Sequence, residues 1–166
     1  MIGLDLIAGN VCSLCAMVSD SVSGTRKTNR QILALQSLSQ IFYGVGSIIL
    51  KGYSSTAQNV VAILRNLAAM KGIKNKVVEW TLVILGVVLG VAFNNRGLAG
   101  WLPVIGNLEY SIAVFKFKDD ERSLKVAFLI SVLMFAAFNV VIMNIVGLIV
   151  NAVVVISTVT FLCKKN

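Results

Sequence analysis

The chain has 166 residues, of which 57% are hydrophobic and 13% are charged, with a formal net charge of +8. Its mean hydropathy is +0.87. Soluble domains are about 45–50% apolar and about 25% charged, so the composition excludes a soluble globular domain and predicts an all-α polytopic membrane protein. The absence of histidine excludes Ser-His-Asp triads and His-ligated metal sites, and we predict no enzyme activity, no cofactor and no metal.

Seven apolar segments are long enough to be read as membrane-crossing helices, which need about 20 residues. They do not alternate apolar and polar residues with period two, so strands are not expected. In chain order the predicted spans are Ile2–Val22, Gln31–Leu50, Gly52–Met70, Val77–Phe93, Leu98–Phe117, Leu124–Ile142 and Asn144–Leu162.

The boundaries between these spans differ in strength. Polar loops are clear at residues 23–30, 71–76, 94–97 and 118–122. Two turns are weak, at Lys51-Gly52-Tyr53 and near Met143-Asn144. The 39 residues from Leu124 to Leu162 are nearly all apolar, which is too long for one span and fits two spans with a tight turn.

The basic residues sort to one side of a seven-span arrangement. Twelve lie in the odd-numbered turns with their flanks and at the C-terminus, whereas only Lys51 and Arg96 lie in the even-numbered turns. Cytoplasmic loops of membrane proteins are enriched in Lys and Arg, so the N-terminus is predicted outside and the C-terminus in the cytoplasm. The short loops suit a bacterial inner membrane. The excess of positive charge is therefore a topology signal and predicts no nucleic-acid partner.

Two short matches indicate an internal repeat. Gly3-x-x-x-Ile7-x-Gly9-Asn10 matches Gly100-x-x-x-Val104-x-Gly106-Asn107 at an offset of 97, and Gln58-Asn59-Val60-Val61 resembles Val150-Asn151-Ala152-Val153 at an offset of 92. The repeat predicts two parallel three-helix bundles, residues 1–72 and 98–166, joined by a linker helix over residues 73–97.

This 3+1+3 plan resembles the SWEET and PQ-loop transporter superfamily. More narrowly, the segment Leu102–Gly106, the Tyr53 turn and the Arg65 segment resemble the bacterial inner-membrane proteins of the YgjV type. The resemblance implies that Asn59 and Asn151, in the third helix of each bundle, line a substrate pocket. Prolines act as hinges in SWEET carriers, and Pro103 is the one proline here that the resemblance offers as a hinge.

Four asparagines are predicted at similar depths. Asn10, Asn59, Asn107 and Asn151 lie seven to nine residues into helices that all run inward, which places them about 10–14 Å from the outer surface at 1.5 Å per residue. Repeat-built transporters bind substrate near the midplane. Because an amide both donates and accepts, such a ring would suit a neutral polar solute. Hydrogen bonding between helices is the alternative role for these amides.

Arg65 and Glu109 are the charged residues placed deepest in the predicted spans, and their depths agree within about one helical turn. A lone charge at the bilayer centre costs about 2.5–3.5 kcal/mol or more, so we expect the two to pair. The pair would either lock two helices or form a gate or an ion or substrate site, whereas Arg65 alone could also extend to the cytoplasmic surface.

These features predict a SWEET-like carrier. It would move a neutral polar small molecule across the lipid bilayer by uniport, through a midplane pocket. The first alternative is an accessory or scaffolding membrane protein without transport. The second is a membrane enzyme, for which Asp119-Asp120-Glu121 is a possible metal-binding run. The sequence sets neither the identity of the solute nor the oligomeric state.

Overall fold

The computed structural model describes residues 3–23, 29–73, 75–116 and 121–164, and these residues form seven α-helices and no strand. The all-α prediction and the number of helices are confirmed. The helices are α1 (Leu4–Ser23), α2 (Asn29–Ile49), α3 (Tyr53–Met70), α4 (Lys76–Ala92), α5 (Trp101–Lys116), α6 (Glu121–Val141) and α7 (Ile145–Lys164). A 3₁₀ helix, Gly97–Gly100, leads into α5 where the sequence predicted one continuous span.

Parts of the predicted loops lie outside the described residues. These parts are residues 24–28, Lys74 and residues 117–120, which include Asp119 and Asp120 of the acidic run. Several basic residues of the charge count, among them Arg26, Lys27 and Lys118, fall there too.

The exterior of the helices is apolar along continuous stripes. In α1 the exposed positions are Leu4, Ile7, Val11, Leu14 and Val18, spaced by three and four residues, so they lie along one face of the helix. The interior contains many buried hydroxyl and amide groups, among them Ser13, Ser39 and Ser54. A surface more apolar than the interior is the reverse of a soluble protein and fits contact with lipid.

The length of its apolar stretch separates α1 from the other described helices. By length and composition alone, Leu4–Val22 is the segment of the described chain that could cross a membrane. Leu33–Ile49, Lys125–Val141 and Ile145–Thr160 are shorter apolar stretches.

Six of the helices form a closed ring. Helix α2 packs against both α1 and α3, and α6 packs against both α5 and α7. The ring closes through contacts of α3 with α5 and of α1 with α7. Helix α4 lies outside the ring against α3 and α5.

Gly90 lets α4 approach the ring closely. A Cβ at Gly90 would lie 2.7 Å from Gln58 Nε2, too close for any side chain. Gln58 Nε2 donates to the Gly86 carbonyl at 2.9 Å, and Asn107 Nδ2 donates to Gln58 Oε1 at 2.6 Å. Gln58 therefore joins α3, α4 and α5 by hydrogen bonds that a lipid environment could not replace.

The two weak turns of the sequence are the tightest turns of the structure. Lys51 and Met143 are the described non-glycine residues with positive φ, 57° and 56°. Each follows a helix that ends in a Schellman motif, in which Gly52 N donates to Ser47 O at 2.7 Å and Asn144 N donates to Asn139 O at 2.9 Å. The two turns are 92 residues apart, so the repeat extends from α3 and α7 back through the turns.

An asparagine from elsewhere in the fold holds each of these turns. Asn95 Nδ2 donates to Lys51 O at 2.8 Å and its Oδ1 accepts from Tyr53 N at 3.3 Å. Asn10 Nδ2 donates to Met143 O at 3.2 Å and its Oδ1 accepts from Val146 N at 2.9 Å. In both cases one amide bonds to a carbonyl and to an N–H at a helix junction, and each carbonyl accepts a second hydrogen bond, from Arg96 Nε at Lys51 and from Ile145 N at Met143.

Replacing Lys51 or Met143 with glycine is expected to stabilise the protein. A left-handed conformation costs an L-residue about 1–2 kcal/mol, and glycine adopts it freely, so each variant should gain up to about 1 kcal/mol after the larger chain entropy of glycine is subtracted. Thermal unfolding in detergent measures the gain.

Lys71→Gly is the matched control, because Lys71 also ends a helix but has φ −82°. This variant should lose stability. A loss of similar size in all three variants would show that the turns at Lys51 and Met143 are not strained.

Candidate functional site

A cavity of about 270 Å³ lies inside the ring of six helices. Residues from all six ring helices and from the α6–α7 turn line it, and none of the described lining residues comes from α4. Most of the lining side chains are polar, including seven amides. Its volume is just below the roughly 300–1,000 Å³ of pockets for drug-sized ligands, so it suits a small solute.

The cavity walls repeat position by position. Each of seven lining residues in α2 and α3 has a lining residue 92 positions later in α6 and α7. The pairs are Gln40 and Val132, Tyr43 and Phe135, Ser47 and Asn139, Ser55 and Gly147, Gln58 and Val150, Asn59 and Asn151, and Ala62 and Val154.

The two walls nevertheless differ in chemistry. The α2–α3 hairpin forms one wall and the α6–α7 hairpin forms the other. Three positions that are polar in the α2–α3 hairpin are apolar in the α6–α7 hairpin, namely the pairs that begin with Gln40, Tyr43 and Gln58. Only the Asn59 and Asn151 pair keeps the same residue in both walls. The cavity therefore presents one polar wall and one largely apolar wall, with an amide from each near the middle of its helix.

Asn59 and Asn151 carry the unsatisfied groups of the cavity. The Nδ2 atoms of both are buried without a hydrogen-bond partner, and neither side chain bonds to any described residue. Asn59 is only 7% exposed. Leaving a buried polar group unpaired costs about 1–3 kcal/mol, so both amides are available to a bound molecule at a site the protein itself does not satisfy.

Asn107 and Asn10, the other two asparagines of the predicted ring, have partners within the protein. Asn107 lines the cavity but donates to Gln58. Asn10 is not among the lining residues, since its side chain holds the α6–α7 turn through Met143 and Val146. The structure thus brings three of the four amides to the cavity, and two of these three are unpaired.

Arg65 and Glu109 differ in their relation to the cavity. Arg65 lines the cavity, whereas Glu109 does not, and Glu109 Oε2 is buried without a partner. No ion pair joins these two residues, both of which are in described helices. The rotation of α5 about its axis explains this difference. Asn107 and Tyr110 lie on the face of α5 that lines the cavity, and Glu109 lies about 200° around the helix from Asn107.

Asp20 is the acidic lining residue, and its described partners lie on α2. Ser39 Oγ donates a short hydrogen bond to its carboxylate, and Tyr43 is an electrostatic neighbour. Arg65 instead neighbours Tyr110, whose ring packs against that of Phe128 with a centroid distance of 5.4 Å. Asp20 and Arg65 therefore have separate surroundings, at α1–α2 and at α3–α5.

Pro103, the candidate hinge, is the third residue of α5 and is fully buried. In the first turn of a helix the missing N–H of proline costs no internal hydrogen bond. The residue thus lies at the start of a helix, directly after the 3₁₀ segment Gly97–Gly100, and does not interrupt the helix.

Sequence reasoning missed several lining residues. Asp20, Gln58, Asn139 and Asn144 line the cavity, and none of them is predicted from the sequence as a site residue. Gln58 precedes Arg65 by seven residues, which puts the two on one helical face. Applying the 92-residue offset to Ser47 would have indicated Asn139.

Residues 7–165 match the model of the Imp-YgjV family, described as a bacterial inner membrane protein, so the chain belongs to this family. Comparison with curated proteins and with solved structures gave no match. The predicted resemblance to the YgjV type and the bacterial inner membrane are thereby confirmed. The wider SWEET resemblance, the orientation and transport stay predictions.

Alanine substitutions should separate the structural asparagine from the unpaired ones. Asn10→Ala leaves the Val146 N–H unpaired and removes one of the two hydrogen bonds to the Met143 carbonyl, so it should cost about 1–3 kcal/mol. Asn59→Ala and Asn151→Ala remove no hydrogen bond and should leave stability unchanged or raised, as measured by thermal unfolding in detergent. A cost at Asn59 equal to that at Asn10 would indicate a structural role for Asn59.

Proposed function

We propose that this member of the Imp-YgjV family carries a small polar solute across the inner membrane by binding it in the cavity between Asn59 and Asn151. The observation that supports this most is the pair of buried, unpaired amides at equivalent positions of the two hairpins. A protein that used the cavity only for packing would gain stability from apolar residues there, since unpaired buried amides are costly.

The proposal includes the SWEET-like 3+1+3 plan. Three observations favour it: the seven pairs of lining residues at one offset, the matching turns at Lys51 and Met143, and the place of α4 outside the ring. Residues 1–72 and 98–166 would then be two parallel units related by an axis along the membrane normal, with α4 as their linker.

Alternating access follows from this plan. The α2–α3 and α6–α7 hairpins would tilt against each other about the level of Asn59 and Asn151, while the turns keep each hairpin rigid. The contacts that close the ring, of α3 with α5 and of α1 with α7, are those that would open and close. Uniport is the simplest mode, because it needs no coupling site. No catalytic step or cofactor enters this proposal.

Cysteine labelling tests whether the cavity is open to water. In a background with Cys12, Cys15 and Cys163 replaced, Asn59→Cys and Asn151→Cys in native membranes should react with a small water-soluble thiol reagent, because only a hydrated thiol ionises readily.

Two controls lie on the same helix as Asn59. Val60 is exposed on the outer face and Asn66 is buried outside the cavity, so Val60→Cys and Asn66→Cys should stay unlabelled. An unreactive cysteine at position 59 together with unreactive controls would contradict the carrier and favour the scaffolding alternative.

The proposed orientation, with the C-terminus in the cytoplasm, has its own test. Cys163 is exposed near the end of α7. With the other two cysteines replaced, an impermeant thiol reagent added to intact spheroplasts should leave it unlabelled, and labelling should appear after permeabilisation. Equal labelling of both samples would reverse the orientation.

A further inference from the structure

We propose that the solute is a small carboxylic acid with a short apolar body, bound through its carboxylate by Arg65 and through a second polar group by the amides of Asn59 and Asn151. This inference rests on the proposed carrier function and adds the chemical class of the solute. The amides alone suit a neutral molecule, and the place of Arg65 on the cavity wall is what favours an acid.

Arg65 is a cation that has no counter-ion among the residues that the structure describes. It lines the cavity, and no hydrogen bond or ion pair to its guanidinium is present among the described residues. Its described electrostatic neighbour is Tyr110, a phenol that does not neutralise the charge at pH 7. A charge inside a membrane protein is costly unless it is paired, so an unpaired arginine on a cavity wall fits an anion supplied from outside.

The acidic residue of the cavity does not fill this role. Asp20 accepts from Ser39 and lies beside Tyr43, on the α1–α2 side of the ring. Glu109, the carboxylate expected to pair with Arg65, does not line the cavity. The cavity lining therefore contains a carboxylate that has partners in α2 and a guanidinium that has no hydrogen bond or ion pair to a described residue.

Comparison of α3 with α7 shows that the positive charge of Arg65 is present in only one of the two hairpins. Every described lining residue of α3 has a lining counterpart in α7 except Arg65, whose counterpart, Ser157, is exposed outside the cavity. A symmetric packing role would be repeated in both halves. A single guanidinium instead gives the ligand a direction, with its charged end towards α3 and α5.

The distances along α3 set the size of the ligand. Arg65 is six residues beyond Asn59, which is about 9 Å along the helix axis at 1.5 Å per residue. Because the arginine side chain can reach back part of that distance, a molecule of a few carbons can contact both. Its body would then meet the apolar wall of Val132, Phe135, Val150 and Val154.

A guanidinium binds a carboxylate well. Its planar donors match the two oxygens of a carboxylate, and such charge-assisted bonds are about twice as strong as neutral ones. The amides of Asn59 and Asn151 can bind a hydroxyl or keto oxygen, since each both donates and accepts.

The test compares acids with their uncharged isosteres. Thermal unfolding of the purified full chain is measured with 2-hydroxybutyrate, 2-hydroxy-3-methylbutyrate and 2-oxo-4-methylpentanoate, and with the three corresponding primary amides at equal ionic strength. At least one acid should raise the Tm in a saturable way, and its amide should not. Arg65→Gln should weaken binding of that acid at least tenfold, and Arg65→Lys should retain part of it.

A second variant leaves Arg65 in place in case its replacement prevents folding. Asn59→Asp has the same shape as wild type and puts a negative charge beside the ligand, so it should weaken acid binding at least tenfold.

Equal stabilisation by acid and amide, equal binding by wild type and both Arg65 variants, or no stabilisation by any of the three acids would each overturn the inference. None of these results affects the carrier proposal, which depends on labelling at position 59. If acids bind through Arg65 but position 59 is closed to water, the cavity is an anion-binding site. In that case the carrier proposal fails and the assignment of an acidic ligand stands.

Discussion

The turns at Lys51 and Met143 fix how α2 packs against α3 and how α6 packs against α7. Both residues adopt a left-handed conformation that glycine would adopt more readily, and a distant asparagine completes the hydrogen bonds of each turn. With no water in the hydrocarbon region, free backbone groups at a helix junction must find partners within the protein. The same junction geometry at both turns gives the two hairpins a common register, and this register brings equivalent residues to the cavity.

A common register combined with different side chains gives a cavity with two kinds of wall. Tyr43 and Phe135 occupy equivalent positions, as do Gln58 and Val150, so one hairpin offers hydrogen bonds where the other offers apolar surface. Gln58 also holds α4 against the ring, which links the polar wall to the helix outside. The asymmetry suits a ligand with unlike ends, and a fully symmetric cavity would not orient it.

The buried polar atoms without hydrogen-bond partners fall into two sets, those of residues that line the cavity and those of residues that do not. Asn59 and Asn151 face space that a ligand can occupy, whereas Ser54 Oγ and Glu109 Oε2 are also buried without partners but belong to residues that do not line the cavity. A ligand can supply the missing hydrogen-bond partner only to an unpaired group that lies beside a cavity. Other polar groups of the interior, such as those of Asn10 and Asn107, are satisfied, so incomplete pairing is not a general property of this fold.

The sequence by itself determined the class, the seven helices to within a few residues and the two tight turns. These follow from hydropathy, helical period and the repeat, which are properties of the chain read locally. Only the tertiary structure decided that Asn10 holds a turn, that Arg65 and Glu109 do not pair and that α4 lies outside the ring. Depth along a helix can be counted from sequence, but the direction in which a side chain points depends on how each helix is rotated against its neighbours, and packing sets that rotation.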